Sequence, residues 1–293
     1  MRAVVTGAGG QLARELERSA PPGIALQSLD RAKCDITNLS AIQRALDKFR
    51  PDVVINAAAY TAVDQAESES ERAFAVNEGG ARNVAKACAA VGATVIQIST
   101  DFVFDGTRTT PYPVDAAPSP INVYGASKLA GEEAVRASGA TYVTLRCGWL
   151  YSAMPGNFLT KILGHLDNHR SLRVVDDEFG VPTNVAEVAH VVWWCAGATP
   201  RVENSVLHCA SAGSASRYEF AVAIQELALK EGLLAMTDAI VPIKTCEYPL
   251  PARRPQYSVL DASVTWKAMG VTPPHWRESL ANTITGMARA ASA

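Results

Sequence analysis

Apolar positions in this chain follow two rhythms. Ala3-Val4-Val5 is an unbroken apolar run, and it passes through glycines into helical spacing at Leu12 and Leu16. Similar runs recur at Ala25–Leu29, Val53–Asn56, Thr94–Ser99 and Tyr142–Arg146. Between them lie helical patterns over 39–49, stopped by Pro51, and over 66–91 as one long helix, then one more opening near Tyr124. Short strands apolar at every position are buried on both faces, and strands alternating with helices make a parallel sheet covered on both sides. The pattern predicts an α/β, doubly wound parallel sheet over residues 1–147. From 148 to 293 it loosens into a smaller C-terminal α/β unit, mainly for substrate, with some segments free to rejoin the sheet. Helices are expected there over 157–169, 184–197, 217–229 and 276–290, with a strand over Ser205–Cys209.

The first strand runs into Thr6-Gly-Ala-Gly-Gly-Gln-Leu-Ala13 and then a helix. Such a turn cradles phosphate: backbone N–H groups and the helix dipole face the anion, and glycine lets the backbone come close. The spacing is Gly7-x-x-Gly10-x-x-Ala13, a Rossmann-type variant in which Ala13 stands for the third glycine. After the second strand stand Asp30 and Arg31. An acid there binds adenosine ribose hydroxyls and favours NAD, whereas an arginine accepts a 2′-phosphate. Both are present, so NADPH or NADH remains open; the bland alternative is a solvated turn. Asp35 is placed to accept an adenine amino group. Ala57, Ala58 and Ala59 end the third strand, where a cofactor needs access to backbone.

Tyr124 and Lys128 stand four apart on a helix and so share a face with Gly131, which leaves room for a flat group. A phenol with pKa near ~10 is a poor acid at neutral pH, and a nearby ammonium favours phenolate. The alternative is a surface pair on an amphipathic helix. Thr100 and Asp101 at the end of the fourth strand reach the same sheet edge, which makes coincidence a weaker account. At 48% hydrophobic, 19% charged and net charge −2, the 293-residue chain is ordinary globular protein, with no basic run to bind nucleic acid. No apolar stretch is long enough to span a bilayer. The chain opens directly on a strand, so no signal peptide is expected, and six scattered cysteines without C-x-x-C point to a reducing cytoplasm rather than a disulfide framework or zinc site.

Taken together, Thr6-Gly-x-x-Gly-x-x-Ala13, Asn56-Ala-Ala-Ala59, Ser99-Thr-Asp101 and Tyr124-x-x-x-Lys128 resemble the extended short-chain dehydrogenase/reductases. Within them the chain is most similar to the dTDP-4-dehydrorhamnose reductase family, through Gly10-Gln-Leu12, Ala58-Ala-Tyr-Thr-Ala-Val-Asp64, Ser99-Thr-Asp-Phe-Val-Phe104, Trp149-Leu-Tyr151, Gly156-Asn-Phe158, Asp177-Glu-Phe-Gly-Val-Pro-Thr183 and Pro251-Ala-Arg-Arg-Pro255. The family commonly has Gly at position 13 and His at position 60. The resemblance implies NAD(P)H-dependent reduction of the C4 ketone of dTDP-4-dehydro-L-rhamnose, with Tyr124 as proton donor, Lys128 lowering its pKa and holding the nicotinamide ribose, and Thr100 as second hydrogen-bond donor. It implies cofactor contacts at Gly7, Gly10, Gln11, Leu12, Asp30, Arg31, Asp35, Ile36, Ala57, Ala58, Ala59 and Thr61, and puts Thr100, Asp101, Trp149, Arg253 and Arg254 on the substrate. Two arginines between prolines suit a diphosphate; the bland reading is a surface ion-pair loop, with Lys161 then the next candidate. Trp149 is as readily a core residue. Some members hold magnesium between subunits, but Glu15 lacks a partner acid near the C-terminus, so no metal is expected, and the chain is read as monomer or homodimer. Two alternatives remain. One is another nucleotide-sugar epimerase or dehydratase, against which Thr100-Asp101 lacks an Asp-Glu pair. The other is a non-catalytic subunit like the regulatory partner of methionine adenosyltransferase.

Overall fold

The computed structural model describes residues 1–168, 171–235 and 239–291. Six parallel strands form the main sheet: β1 (Arg2–Thr6), β2 (Ala25–Leu29), β3 (Val53–Asn56), β4 (Thr94–Thr100), β5 (Tyr142–Cys147) and β6 (Ser205–Cys209). Their spatial order is β6-β5-β4-β3-β1-β2. The direction of winding reverses between β1 and β3, the place where ligands bind in open α/β sheets. Alternate strand residues feed two separate cores. Val5, Ile55, Ile96 and Leu145 pack with Leu12, Leu16, Val188 and Val192 on one face, while Val4, Val54 and Val95 pack with Ile42, Leu46, Val84 and Val135 on the other.

The strand expected over 205–209 does form, but it pairs in register with β5, Cys209 beside Cys147. The helix Val185–Gly197 follows it to the sheet, with Val188, Val191 and Val192 in the same core as β1. Val206 and Leu207 of the strand and residues 191–196 of the helix are apolar, and the free edge and one face of the sheet beside β5 are where they are covered. What remains separate is a third cluster, in which Tyr151, Leu159, Ile162, Phe220, Ile224, Trp276 and Leu280 join the helices Phe158–Asn168, Arg217–Lys230 and Trp276–Ala291. The expected helix end at 169 lies outside the described residues.

The long helix expected over 66–91 is broken into Val63–Ala66, Ser70–Phe74, a π-helical stretch Ala75–Gly80, and Ala81–Val91. The wider π turn directs Asn77 inward. Its amide oxygen accepts from the backbone N–H of Tyr60 at 2.8 Å, and its nitrogen donates to the Tyr60 carbonyl (3.1 Å) and the Ser127 hydroxyl (2.9 Å). A side chain that satisfies three groups on two other elements is the reason for the irregularity, a common use of π turns.

Gly131 has a different purpose from the one its helical face suggests. A Cβ there would overlap the Asn77 carbonyl oxygen, so glycine lets the Val123–Arg136 helix close against the π segment rather than leaving space for a ligand. Gly131→Ala is therefore expected to lower stability by about 1–3 kcal/mol through overpacking. Urea unfolding should show a lower midpoint at unchanged slope.

Candidate active site

The cofactor side starts from conformation. Gly7 has φ +79°, and a Cβ on it would lie 2.7 Å from the Ala58 nitrogen, so only glycine lets β1 and β3 end side by side. Gly10 caps the helix Gln11–Arg18 without a side-chain hydrogen bond, which leaves the first N–H groups available to an anion. These residues floor a cleft of about 600 Å³, which is also lined by Leu12, Arg31, Asp35, Ile36, Ala57, Ala59 and Thr61. Gln11 lines it too, while its amide oxygen accepts from Ser152 Oγ (2.8 Å) and Asn157 Nδ2 (2.9 Å), tying the 152–157 turn over the opening. The donors and shape fit a dinucleotide.

Asp30 does not line this cleft. Its carboxylate accepts from the Lys33 backbone N–H at 2.8 Å, closing its own turn. Arg31 does line it, with Nε 3.3 Å from Asp35 Oδ2. Asp35 lies below its usual carboxylate pKa because the backbone N–H and the hydroxyl of Thr37 donate to it, helped by Arg31. Arg31 thus stands at the cleft wall, and Asp30 closes the turn beside it.

The cleft opens into a second cavity of about 420 Å³, where Thr100, Tyr124, Lys128 and Trp149 meet, and the two share Gln11, Leu12, Ala57, Ala59 and Thr61. Asn122 starts the catalytic helix: its side-chain oxygen accepts from Gly125 N–H at 2.7 Å, and its nitrogen donates to the Arg253 carbonyl at 2.7 Å. Tyr124 stands half-buried, edge-on to Phe102 at 5.8 Å between centroids, and lines the same cavity as Thr100. Burial raises the phenol's pKa; the nearby Thr100 hydroxyl works in the opposite direction and Asp101 adds to the rise. Lys128 donates to the Ile98 carbonyl at 2.6 Å, and burial lowers its pKa to about 8. The ammonium is therefore anchored to β4, one helical turn from Tyr124.

Asp101 borders the cavity, yet both its oxygens are engaged. Oδ1 accepts from Thr100 Oγ1 at 3.0 Å and Oδ2 from Ser258 Oγ at 2.6 Å. A buried side chain so placed fixes the Thr100 hydroxyl while it borders the cavity; burial raises its pKa. Trp149 has φ +50°, unusual for a bulky residue, and its ring lies against Gly180, where any Cβ would collide with it.

Arg217 went unremarked in the sequence. Its guanidinium stacks on Trp149 at 3.5 Å from the ring centroid and lies 5.4 Å from that of Phe158. It is the first residue of the helix Arg217–Lys230, where a cation opposes the dipole, and that mismatch was the available signal. Burial lowers its pKa to about 10, with Glu178 and Asp101 pulling upward. It joins the second cavity to a third of about 450 Å³, lined also by Lys161, Glu178, Tyr248 and Arg254. Arg254 makes a two-pronged pair with Asp64 at 2.8 and 2.7 Å. Arg253 is exposed and lines none of these cavities; the proline bracket turns only one of the two arginines inward. Among the described residues, no group of three or more His, Cys, Asp or Glu is placed to hold a metal, and no helix is long and apolar enough to cross a membrane.

Residues 1–289 match the family described as RmlD substrate binding domain. The chain is 40% identical over 290 residues to dTDP-4-dehydrorhamnose reductase of Mycolicibacterium smegmatis, covering 98% of this chain and 86% of that one. It is 36% identical over 283 residues to that of Sinorhizobium fredii, covering 95% of each. The crystal structure of dTDP-4-dehydrorhamnose reductase from Bacillus anthracis in complex with NADP superimposes with a TM-score of 0.91 at 35% identity, over 97% of this chain and 99% of that one.

With Arg31 rather than Asp30 at the cleft wall, Arg31→Ala is expected to raise KM for NADPH about tenfold, the loss of one charge-assisted contact. KM for NADH should hardly move. Equal losses for the two cofactors would place Arg31 away from any 2′-phosphate.

Proposed function

This chain belongs to the dTDP-4-dehydrorhamnose reductase family, and we propose that it catalyses the NAD(P)H-dependent reduction of the C4 ketone of dTDP-4-dehydro-L-rhamnose to dTDP-L-rhamnose. The observation that carries this reading is continuity. One groove runs from the glycine cradle, past Thr100, Tyr124 and Lys128, to Arg217 and Arg254. A dinucleotide, a reacting carbonyl and a diphosphate need those three environments in that order.

NAD(P)H in the cleft supplies the hydride. Thr100 and Tyr124 line the same cavity: the Tyr124 phenol can donate to a carbonyl oxygen placed there, and the Thr100 hydroxyl can join it by turning from Asp101. As negative charge develops on that oxygen, Tyr124 gives up its proton, and general acid catalysis of this kind contributes about 10²–10⁴ in rate. The raised pKa of the phenol keeps it protonated until then. Asp101 holds Thr100 in position. Lys128, fixed on Ile98 and facing the same cavity, presents its charge to the phenolate left behind and to the cofactor's ribose. Trp149 and Arg217, stacked on each other, line the passage toward the third cavity.

We assign the diphosphate to Arg217, Arg254 and Lys161, which line the third cavity, whereas the sequence suggested Arg253 with Arg254. Arg217 and Arg254 are both partly withdrawn from solvent, where charge-assisted hydrogen bonds are strongest. Because these contacts are remote from C4, they act on ground state and transition state alike.

Purified protein given dTDP-4-dehydro-L-rhamnose should consume NADPH, followed as loss of reduced-nicotinamide absorbance, with dTDP-L-rhamnose as product; no oxidation with this sugar nucleotide would overturn the reading. Tyr124→Phe is expected to keep NADPH binding and lose about 10²-fold or more in kcat. Arg217→Ala and Arg254→Ala should each raise KM for the sugar nucleotide about tenfold, with KM for NADPH unchanged, while Arg253→Ala stays near wild type. Steady-state kinetics with each substrate varied separately would measure all four.

A further inference from the structure

Glu132 stands one turn beyond Lys128 on the catalytic helix and is buried against the sheet. Its carboxylate receives the Ser99 hydroxyl from β4 and the Arg146 guanidinium from β5, with Nη2 at 2.7 Å and Nε at 2.9 and 3.2 Å. Ser99 and Arg146 are register partners on adjacent strands, so one side chain of the helix bridges two strands. Lys128 adds a third tie, to Ile98 on β4. A pair buried this deeply adds little net stability, because desolvating two charges offsets their attraction. Its place directly behind the catalytic lysine therefore calls for another account.

We propose that the buried Glu132–Arg146 pair is a positioning pair for Lys128: it locks the catalytic helix to β4 and β5 and sets the electrostatic field in which the lysine keeps its proton. Glu132 lies four residues from Lys128, on the same face of the same helix. Arg146 approaches Glu132 from β5, and its Nη1 has no hydrogen-bond partner among the described residues. The other groups around Lys128 are few. β5 presents the Cys147 thiol, whose pKa burial pushes up to about 12. The turn after β4 presents Asp101, engaged by Thr100 and Ser258. Tyr124 lies one turn back on the same helix. Elsewhere on this helix the packed neighbours are uncharged: Asn77 of the π segment bonds Ser127, and Asn77 and Ala81 meet Gly131. Neutral His208, its pKa lowered to about 4 by burial and by Arg146, adds no charge. Against the lowering by burial, Cys147 and then Glu132 pull the Lys128 pKa upward.

The proposal rests on the reductase reading in that Lys128 works beside Tyr124. On the alkaline side, kcat/KM falls as Lys128 loses its proton. Glu132→Gln should move that limb to lower pH by about one unit, the effect of removing one opposite charge a few ångströms away. Glu132→Asp keeps the charge and should leave the limb in place while kcat drops. The double variant Glu132→Gln/Arg146→Met leaves no unpaired buried charge. It is the variant that decides if Glu132→Gln does not fold, and its limb should move the same way by a smaller amount. The pH dependence of NADPH binding, measured with no sugar nucleotide, should show the same displacements. Absence of turnover in the wild type would therefore count against the reductase reading alone. Limbs and binding curves of Glu132→Gln and the double variant coinciding with wild type would overturn the pair's role, leaving it a structural brace.

Discussion

The arrangement depends on how closely the Val123–Arg136 helix lies against its neighbours. At Gly125 a Cβ would overlap the Phe102 carbonyl, and at Gly131 the Asn77 carbonyl, so both faces of the helix are pressed to backbone. Close packing of this kind has few alternatives, because interiors resist small displacements. It fixes the angle of Tyr124 toward Thr100 and the reach of Lys128 to Ile98. The π segment, the Asn122 cap and the Glu132 bridge serve the same end from three directions.

A second consequence is electrostatic. The groove passes from a floor of N–H groups to a buried centre and then to guanidinium groups. In the centre burial disfavours the charged forms, Tyr124 and Asp101 being shifted upward and Lys128 downward to about 8, which leaves the lysine protonated at neutral pH. When charge develops on an oxygen bound there, each donor counts for more than it would in water. The Asp64–Arg254 pair shows the same economy at the rim, holding an arginine straight across the groove's far end.

Much of this was legible in the residues. The apolar runs of β1, β3, β4 and β5 announced a covered parallel sheet. The spacing of Gly7, Gly10 and Ala13 announced the cradle, and the i, i+4 relation of Tyr124 and Lys128 their shared face. All of these are local: they follow from strand period, helix period or the conformational freedom of glycine. Less legible were the partners. Asp30 and Arg31 are adjacent in sequence, but only the folded turn shows that Asp30 closes on Lys33 and Arg31 faces the cleft. Arg253 and Arg254 present the same case, separated by which of them meets Asp64.

By itself the sequence determined the strand and helix alternation, the glycine turn, the family of catalytic groups and the membership to which they point. The tertiary structure decided that β6 and the helix before it return to the main sheet, that a π turn interrupts the long helix, that Asp101 serves Thr100 and Ser258, and that Arg217 completes the groove. The reason is the range of the forces concerned. Backbone preference and amphipathic period act over a few neighbouring residues and can be read along the chain. A hydrogen bond between Asp101 and Ser258, or a guanidinium on the Trp149 ring, joins residues far apart in sequence, and only close packing brings them within reach.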